Sequence, residues 1–546
     1  MDLRNKTCLL IDDNAEMRNS LRIQLSGCGL QNCVSVRNIK EAVDKLTAKK
    51  FDIIVCDYNL GQGTDGQQFL ELVRRKNLLP LSSAFLMITG ETGYQQVSTT
   101  AEYSPDDYLL KPFTAEILAT RLLRILEKKE ALKSVYQHMT AKGDPQKALK
   151  ACDALLAEGG HSGSRNHYST DLLRLKGELL LQCSRNDDAL ALYENVLAQR
   201  STPWAVVGKA LALKALGRQD EAVATLESSL KAYPNYLAAY DALTEILEKT
   251  DKVAAQVVVE RALRVSASTQ RQRELGNLAL ENADYGRAET ALRIAVDRDR
   301  TGFFKSHDDY AALSRSCVEQ GKHKEAMTAV KDMGMHFSHT PDLKARQAAL
   351  ECQVQMHAGN LEAAEAAYAQ AIALQRDGAL DASTALEVAQ SCFVMGQESE
   401  ARQIIQAVAE DHHENEKVLA RARNVFEVAG LKDEGIEFIE ATRTRMIRLN
   451  NDAVALAKSG ELDQAIVMLV EAAERLQNNA QVLINAAQAI MMRINQRGMD
   501  LKQLADARRY IERAIQANPE HPKLPAAMAF YEKVAPSGLP PITLES

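Results

Sequence analysis

The sequence contains no run of about 18 apolar residues, the length at which a segment becomes a candidate for a membrane-spanning helix. Its amino terminus, MDLRNKTCLLIDD, turns acidic before an apolar segment of signal-peptide length develops. We therefore expect no membrane insertion and a cytoplasmic location.

Paired cysteines and an excess of basic charge are also lacking. The nine cysteines include no C-x-x-C pair, and their odd number and scattered positions argue against a disulfide framework and a zinc site. The formal net charge is −7, so the chain lacks the basic surplus that is typical of nucleic-acid-binding proteins. We expect reduced thiols and no nucleic-acid partner.

The chain of 546 residues is too long for one hydrophobic core. Within residues 1–128, strand-like and helix-like segments alternate, which predicts a parallel sheet covered by helices on both faces. Five segments are predicted strands: KTCLLIDD, NCVSV, FDIIVCD, AFLMITG and DYLLK. The predicted fold of this part is therefore doubly wound α/β with five parallel strands.

Residues with reactive side chains follow four of these strands. Asp12 and Asp13 end the first, and Asp57 ends the third. Thr89 ends the fourth, and Lys111 the fifth. Because the carboxyl ends of parallel strands meet at one edge of a sheet, we expect a single site. Clustered carboxylates repel one another unless a cation is present, so the site is predicted to hold a hard divalent ion, Mg²⁺.

Such a site has the groups that phosphoryl transfer needs. A carboxylate at a strand end can form an acyl phosphate, and a lysine and a hydroxyl can contact the phosphoryl oxygens. Asp57 is then the predicted nucleophile. The alternative is that the acids cap helices and Lys111 is solvated in a loop; five suitable residues at strand ends favour the site.

Residues 1–128 resemble a response-regulator receiver domain of bacterial two-component systems, because IDD, CD, T and KPF occur in that order at strand ends. The resemblance implies a flavodoxin-like fold. It also implies that a sensor histidine kinase or a phosphotransfer protein phosphorylates Asp57. By the same resemblance, Asp12, Asp13, Asp57 and the backbone carbonyl of Asn59 hold Mg²⁺.

The resemblance implies further roles at the other strand ends. Thr89 and Lys111 contact the phosphoryl group, and Tyr108 is the aromatic residue that turns inward when the threonine moves. Two departures from the family pattern stand out: the loop YNLGQGTDG lacks the frequent proline and is one residue longer, and Gly90 replaces the common alanine. Neither departure removes a reactive group.

Helical patterns dominate from residue 129, where an alanine recurs about five residues after a glycine or polar turn. We term these the anchor alanines: Ala148, Ala189, Ala222, Ala255, Ala288, Ala326, Ala364, Ala401, Ala465 and Ala507, with Gly435 in a degenerate unit. The pattern resembles tetratricopeptide repeats (TPR). It implies an all-α solenoid of about ten to eleven helix pairs over residues 129–533, followed by a disordered tail at 534–546.

Stacked helix pairs expose a continuous face that suits an extended peptide or a helix, so an unidentified protein or peptide is the predicted partner of the repeats. A repeat fold does not specify a ligand, and a spacer or an arm that forms a homodimer stays open. RNA binding is disfavoured by the acidic balance.

No Pro/Gly/Ser linker separates the two parts. Residues 114–142 are predicted to form one amphipathic helical stretch that couples the receiver to the repeats. The first flexible loop is predicted at 158–169. The pair His412 and His413 could bind a metal, but a solvated helix cap is the preferred interpretation.

Together these patterns predict a phosphorylation-controlled response regulator that acts by protein contact and has no separate catalytic output domain. The first alternative is a phosphate sink or relay intermediate in which the repeats serve only as a localisation or dimerisation scaffold. The second is a regulated phosphatase or protease adaptor, for which we find no catalytic residues in the sequence.

Overall fold

The chain packs as two compact units, residues 1–312 and 313–546. The computed structural model describes residues 3–61, 65–90, 105–139, 143–161, 168–299, 305–337, 342–377, 380–476, 479–519 and 521–536. The first unit contains a sheet and helices, and the described residues of the second unit are helical.

The sheet has five strands: β1 Thr7–Ile11, β2 Asn32–Val36, β3 Ile53–Asp57, β4 Ala84–Thr89 and β5 Asp107–Leu110. All are parallel, in the order β2-β1-β3-β4-β5. Every residue of β4 is buried, because helices cover both faces of a doubly wound sheet. The predicted α/β fold with five parallel strands is confirmed.

Four helices pack against the sheet: α1 Ala15–Gly27, α2 Ile39–Ala48, α3 Gly66–Arg75 and α4 Ala115–Ala131. On one face, Leu25 of α1 and Leu122 of α4 pack against the sheet. On the other face, Leu46 of α2 and Phe69 of α3 do so. Side chains cap the first turns of these helices at Asn14, Asn38, Asp65 and Thr114.

Helices alone make up the regular structure of the described residues from 133 onward. They are α5 Lys133–Tyr136, α6 Pro145–His161, α7 Ser169–Gln182, α8 Asn186–Gln199, α9 Pro203–Ala215, α10 Gln219–Ala232, α11 Leu237–Leu247, α12 Lys252–Val265, α13 Thr269–Glu281, α14 Tyr285–Asp299, α15 His307–Val318, α16 His323–His336, α17 Leu343–His357, α18 Leu361–Asp377, α19 Ala382–Val394, α20 Glu398–Asp411, α21 Glu416–Val428, α22 Lys432–Lys458, α23 Leu462–Arg475, α24 Ala480–Arg497, α25 Leu501–Ala517 and α26 Leu524–Val534. None of the helices in the described ranges combines the length and the apolar character that crossing a membrane requires.

All ten anchor alanines are fully buried. Nine of them are the fourth residue of their helix, and Ala507 is the seventh residue of α25. Gly435 takes the fourth position in α22, where an added Cβ would lie 2.3 Å from the Cβ of Phe426. In eight of these units, the residue five positions before the anchor has a positive φ: Ser184, Gly217, Ala283, Gly321, Gly359, Gly396, Gly430 and Gly460. The predicted succession of turn, helix and small buried residue is confirmed.

The predicted single helical stretch over 114–142 is wrong. α4 ends at Ala131, and the N–H of Leu132 closes it by donating to the carbonyl of Lys128 at 3.1 Å. α5 then begins at Lys133. The side chains of Leu132 and Val135 are buried in the core of the first repeats, so the chain turns to bury both. Residues 140–142 lie outside the described residues.

Two further predictions need correction. α6 continues to His161, so the predicted flexible loop at 158–169 begins as helix; residues 162–167 lie outside the described residues. His413 is not a solvated cap, because it is buried and its Nδ1 lies 3.0 Å from Nδ2 of Asn479. Burial lowers the pKa of His413 and of its neighbour His412. Most of the predicted tail, residues 537–546, also lies outside the described residues.

Candidate functional site

Three carboxylates converge at the carboxyl edge of the sheet. Asp12 and Asp13 follow β1, and Asp57 ends the adjacent strand β3. One carboxylate oxygen from each lies within 4.8 Å of the others. Asp12 is buried, whereas Asp13 is exposed. The structure thus brings together the three acids that the sequence placed at strand ends.

Lys111 supplies the positive charge of the site. It follows β5, and its Nζ donates a hydrogen bond of 2.9 Å to Oδ1 of Asp57. The same Nζ lies 3.6 Å from Oδ2 of Asp12. Its backbone N–H donates to the carbonyl of Thr89 at 2.8 Å, which holds the end of β5 against β4. The lysine therefore reaches past β4 to two of the three acids.

The turn after β1 is held by two residues that the sequence interpretation did not assign to the site. The N–H of Asn14 donates to Oδ1 of Asp12 at 2.8 Å. Nη1 of Arg18 donates to the carbonyls of Asp12 and Asp13 at 2.6 and 2.9 Å. The side chain of Asn14 also caps α1, and no sequence pattern distinguishes Arg18 from other arginines in a first helical turn.

Burial makes this site unfavourable for negative charge. It raises the pKa of Asp12, the N–H of Asn14 lowers that pKa, and the carboxylate of Asp57 raises it. Burial likewise raises the pKa of Asp57, while the hydrogen bond and charge of Lys111 oppose that rise. A cation in contact with these oxygens would relieve the repulsion.

The residues present fit a hard divalent cation. Oδ2 of Asp12 is buried and accepts no hydrogen bond from the residues that the structure describes, which leaves it free to bind a metal. The available ligands are carboxylate oxygens, the donor type that Mg²⁺ prefers. Asn59, two residues after Asp57, pairs with Asp65 in an isolated antiparallel β-bridge. Its backbone carbonyl is a further candidate ligand for the metal.

Thr89 and Tyr108 occupy different surroundings. Thr89 ends β4 one residue beyond Ile88, the register partner of Asp57, and is buried. Tyr108 is half-buried on β5 and, like Tyr58, packs against the apolar cluster beneath α2 and α3. Burial raises the pKa of Tyr108.

The loop after Asp57 includes residues 62–64, which lie outside the described residues. At its end, Gly66 begins α3 so close to β3 that an added Cβ would lie 2.5 Å from the carbonyl oxygen of Asp57. Only glycine fits this approach without a shift. At Gly90, an added Cβ would meet no heavy atom within 4 Å, so the described structure has room for the alanine common in the family.

Comparison with known proteins places both parts of the chain. The response regulator receiver domain family matches residues 8–123, and a tetratricopeptide repeat family matches residues 174–236. The chemotaxis protein CheY of Pseudomonas aeruginosa is 31% identical over 123 residues, which cover 22% of this chain and 95% of that protein. The chemotaxis protein CheY-3 of Vibrio cholerae is 30% identical over 125 residues, which cover 23% and 95%.

A solved structure is similar to the repeats. It is the C-terminal part of a TPR repeat-containing protein from Cytophaga hutchinsonii, 14% identical, covering 43% of this chain and 92% of that chain with a TM-score of 0.35. The carboxylate site lies within the segment that aligns with nearly the whole length of the two chemotaxis proteins. This chain therefore belongs to the response regulator family, and in it a receiver domain is joined to tetratricopeptide repeats.

Proposed function

We propose that this chain is a cytoplasmic, phosphorylation-controlled response regulator whose receiver accepts a phosphoryl group on Asp57. The donor is a sensor histidine kinase or a phosphotransfer protein. The observation that carries the proposal is the contact of Nζ of Lys111 with Asp57 at 2.9 Å, beside a buried oxygen of Asp12 that accepts no hydrogen bond from the described residues. A nucleophile, its counter-charge and an oxygen free for a metal thus share one site.

The chain's own residues have distinct roles in this reaction. A carboxylate oxygen of Asp57 attacks phosphorus as the bond to the donor nitrogen breaks, which leaves an acyl phosphate. Mg²⁺, held by Asp12, Asp13, Asp57 and the Asn59 carbonyl, would neutralise phosphoryl oxygens when bound. The residues proposed to contact or register the phosphoryl group are Lys111, Thr89 and Tyr108.

Labelling with a small phosphodonor tests this proposal. The full chain is incubated with acetyl phosphate and Mg²⁺, and intact-mass spectrometry follows the addition of one phosphoryl group. We expect labelling of the wild type and of Asp44→Asn, a matched change of an exposed acid on α2, but not of Asp57→Asn. Equal labelling of Asp57→Asn, or no labelling of the wild type, would contradict the proposal.

A buried lysine offers a route from this site to the repeats. α4 begins four residues after Lys111 and spans 17 residues, about 25 Å. Near its end, Nζ of Lys129 donates to the carbonyl of Leu81 at 2.8 Å and pairs with Asp106 at 2.7 Å. Both partners precede their strands, so α4 runs from the edge that carries the site to the opposite edge.

The next contact reaches the repeats directly. Nζ of Lys128 lies 2.5 Å from Oδ1 of Asp171 in α7. We infer that α4 acts as a rigid helix that transmits a structural change from the phosphorylated edge of the sheet to α7. The ion pair of Lys129 with Asp106 fixes one end of this helix. This route replaces the uninterrupted helix that the sequence predicted.

Hydrogen exchange measures this coupling. Phosphorylation of the wild type should change the exchange of α7, and Lys129→Met should abolish that change while Asp57 is still labelled. Lys133→Met, which removes an exposed pair with Glu130, is the control and should behave as wild type. Because Lys129→Met leaves Asp106 without this lysine, the double variant with Asp106→Asn is measured as well. A normal response of α7 in both Lys129 variants would refute the route.

The output proposed for the repeats is contact with a protein or peptide, without a separate catalytic domain. The alternative of a phosphate sink or relay makes a different prediction. In that case, partners captured by the full chain bind equally to the wild type treated with phosphodonor and to Asp57→Asn. A difference between the two supports phosphorylation-controlled binding.

A further inference from the structure

Two cysteines face each other across neighbouring strands of the receiver. Cys8 in β1 and Cys33 in β2 are register partners. Cys8 belongs to the apolar cluster on the sheet face covered by α1 and α4, and Cys33 packs against that cluster. Neighbouring strands lie about 4.8 Å apart, which is within the roughly 4.4 to 6.8 Å between Cα atoms that a disulfide spans.

The surroundings of the two thiols differ. Cys8 is fully buried, whereas Cys33 is half-buried on β2, an edge strand of the sheet. A hydrogen bond between the two side chains raises the pKa of Cys8 and lowers that of Cys33. The charge of Arg22 on α1 lowers the pKa of Cys33 further. Cys33 thus has more thiolate character, the reactive form of cysteine, than its neighbour Cys8.

Most of the other cysteines show the opposite tendency. Burial raises the pKa of six of them: Cys28, Cys56, Cys152, Cys183, Cys352 and Cys392. A raised pKa leaves less thiolate and a less reactive sulfur. Cys33 therefore stands apart from these six in its acidity. Cys352 and Cys392 also interact with each other, but burial raises the pKa of both thiols.

We propose that Cys33 and Cys8 form an oxidant-sensitive pair, in which a peroxide oxidises the Cys33 sulfur and Cys8 then closes an intramolecular disulfide. In the first step, the Cys33 sulfur attacks a peroxide oxygen, the O–O bond breaks, and a sulfenic acid and water form. In the second step, the Cys8 sulfur displaces the hydroxyl group, which leaves as water with the Cys8 proton. Two thiols and one hydrogen peroxide thus yield one disulfide and two waters.

The position of the pair suits a reversible bond. The two Cβ atoms leave the same face of adjacent parallel strands at about the strand spacing of 4.8 Å, which is wider than the roughly 3.8 Å typical between Cβ atoms of a disulfide. The bond is therefore strained, and strained disulfides are readily reduced by cellular thiols.

Peptide mapping of oxidised protein tests the proposal. The full chain is treated with hydrogen peroxide, its free thiols are alkylated, and a non-reducing digest is analysed by mass spectrometry. We expect a linked peptide that joins Cys8 to Cys33 and disappears on reduction. Cys28 is the matched control, because it is half-buried and packs against the same cluster, and it should be recovered alkylated.

Two variants separate the two steps. Cys33→Ser should yield no linked peptide and leave Cys8 as a free thiol. Cys8→Ala should accumulate a sulfenic acid on Cys33 that dimedone traps. Circular dichroism checks that both variants fold. If either variant does not fold, the peptide map of the wild type still tests the proposal. The proposal is overturned if wild-type Cys33 is alkylated as fully as Cys28 after peroxide, or if it is linked to any cysteine other than Cys8.

Discussion

Asp12 is the residue whose burial most constrains the site. Its Oδ1 accepts from the N–H of Asn14, while its Oδ2 is buried, lies 3.6 Å from Nζ of Lys111 and accepts no hydrogen bond from the described residues. A buried charge with one oxygen unsatisfied destabilises a folded protein. The receiver thus keeps a feature that is unfavourable for folding and favourable for holding a cation.

Replacing Asp12 with asparagine should therefore stabilise the fold at neutral pH. Because burial raises the pKa of Asp12 above its usual 3.8, the folded state binds more protons than the unfolded state between those two values, and stability falls as the pH rises through that window. Asn keeps the acceptor for Asn14 and removes the charge. We expect a free energy of unfolding higher by about 1 kcal/mol at pH 7, and a smaller gain as the pH is lowered toward the raised pKa.

Urea unfolding between pH 5 and pH 8, with and without Mg²⁺, measures both effects. Mg²⁺ should stabilise the wild type and Asp44→Asn, but not Asp12→Asn, because a ligand stabilises only the state that binds it. Lower stability of Asp12→Asn at pH 7, or an undiminished effect of Mg²⁺ on it, would speak against a metal site at this residue.

At the scale of the helices, small residues set how closely neighbours pack. The ring of Tyr193 in α8 lies between Gly177 of α7 and Gly208 of α9. An added Cβ would lie 2.4 Å from ring atoms of Tyr193 at Gly177 and 2.2 Å at Gly208. Trp204 of α9 contacts the same ring edge-on, with the ring centroids 6.2 Å apart. One aromatic side chain thus joins three successive helices.

Gly208→Ala should therefore destabilise the first unit by roughly 1 to 3 kcal/mol, because overpacking displaces the Tyr193 ring. Gly286→Ala is the matched control. It also lies within a helix, α14, but an added Cβ there meets no heavy atom within 4 Å, so we expect a gain of up to about 1 kcal/mol from helix propensity. Thermal unfolding compares the two, and equal shifts would show that the close approach of Tyr193 is unimportant.

Side chains also fill space between helices of the second unit. Nη1 of Arg315 in α15 lies 3.5 Å from the carboxylate of Glu387 in α19. Gln353 of α17 donates to the same carboxylate at 3.3 Å, and Arg346 of α17 lies 3.7 Å from it. Glu387 and Arg346 are buried. An extended peptide could not occupy this space without displacing the polar cluster, so a peptide partner is expected to bind elsewhere on the repeats.

α22 explains why the sequence pattern weakens around Gly435. It spans 27 residues, about twice the length of most of its neighbours. The second helix of one repeat and the first helix of the next are therefore continuous, and the positive-φ glycines Gly430 and Gly460 lie just outside its two ends. Gly435 and Ala465 still take the fourth positions of α22 and α23, so the anchor pattern survives the fusion.

At the scale of the whole molecule, the two compact units predict two unfolding transitions. Beryllofluoride with Mg²⁺, which imitates an acyl phosphate on Asp57, should raise the transition of residues 1–312 alone, because a ligand stabilises the unit that binds it. The single tryptophan, Trp204, lies in that unit, so its fluorescence reports one transition while circular dichroism reports both.

Asp57→Asn is the control and should show no ligand-dependent shift in either signal. An equal shift of both transitions in the wild type would contradict separate units. A single transition common to fluorescence and circular dichroism would do the same.

Much of this protein could be predicted from short-range patterns. Asp12, Asp57 and Lys111 each follow an apolar strand, and the common direction of parallel strands suffices to bring them to one edge. Ala189 and its counterparts follow a turn at a constant interval, so their burial could be predicted from local sequence. In both cases the information lies within a single strand or a single helix pair.

The tertiary structure alone decided the features that depend on residues far apart in the chain. α4 ends at Ala131 because Leu132 and Val135 are buried in the repeats, and Lys129 is held by Leu81, 48 residues away. His413 is buried against Asn479, 66 residues away, and Arg18 holds a turn that no local pattern assigns to it. The sequence by itself determined which elements form and which chemistry their ends carry. Which side chains become buried partners was decided by packing, because such pairs leave no periodic signal along the chain.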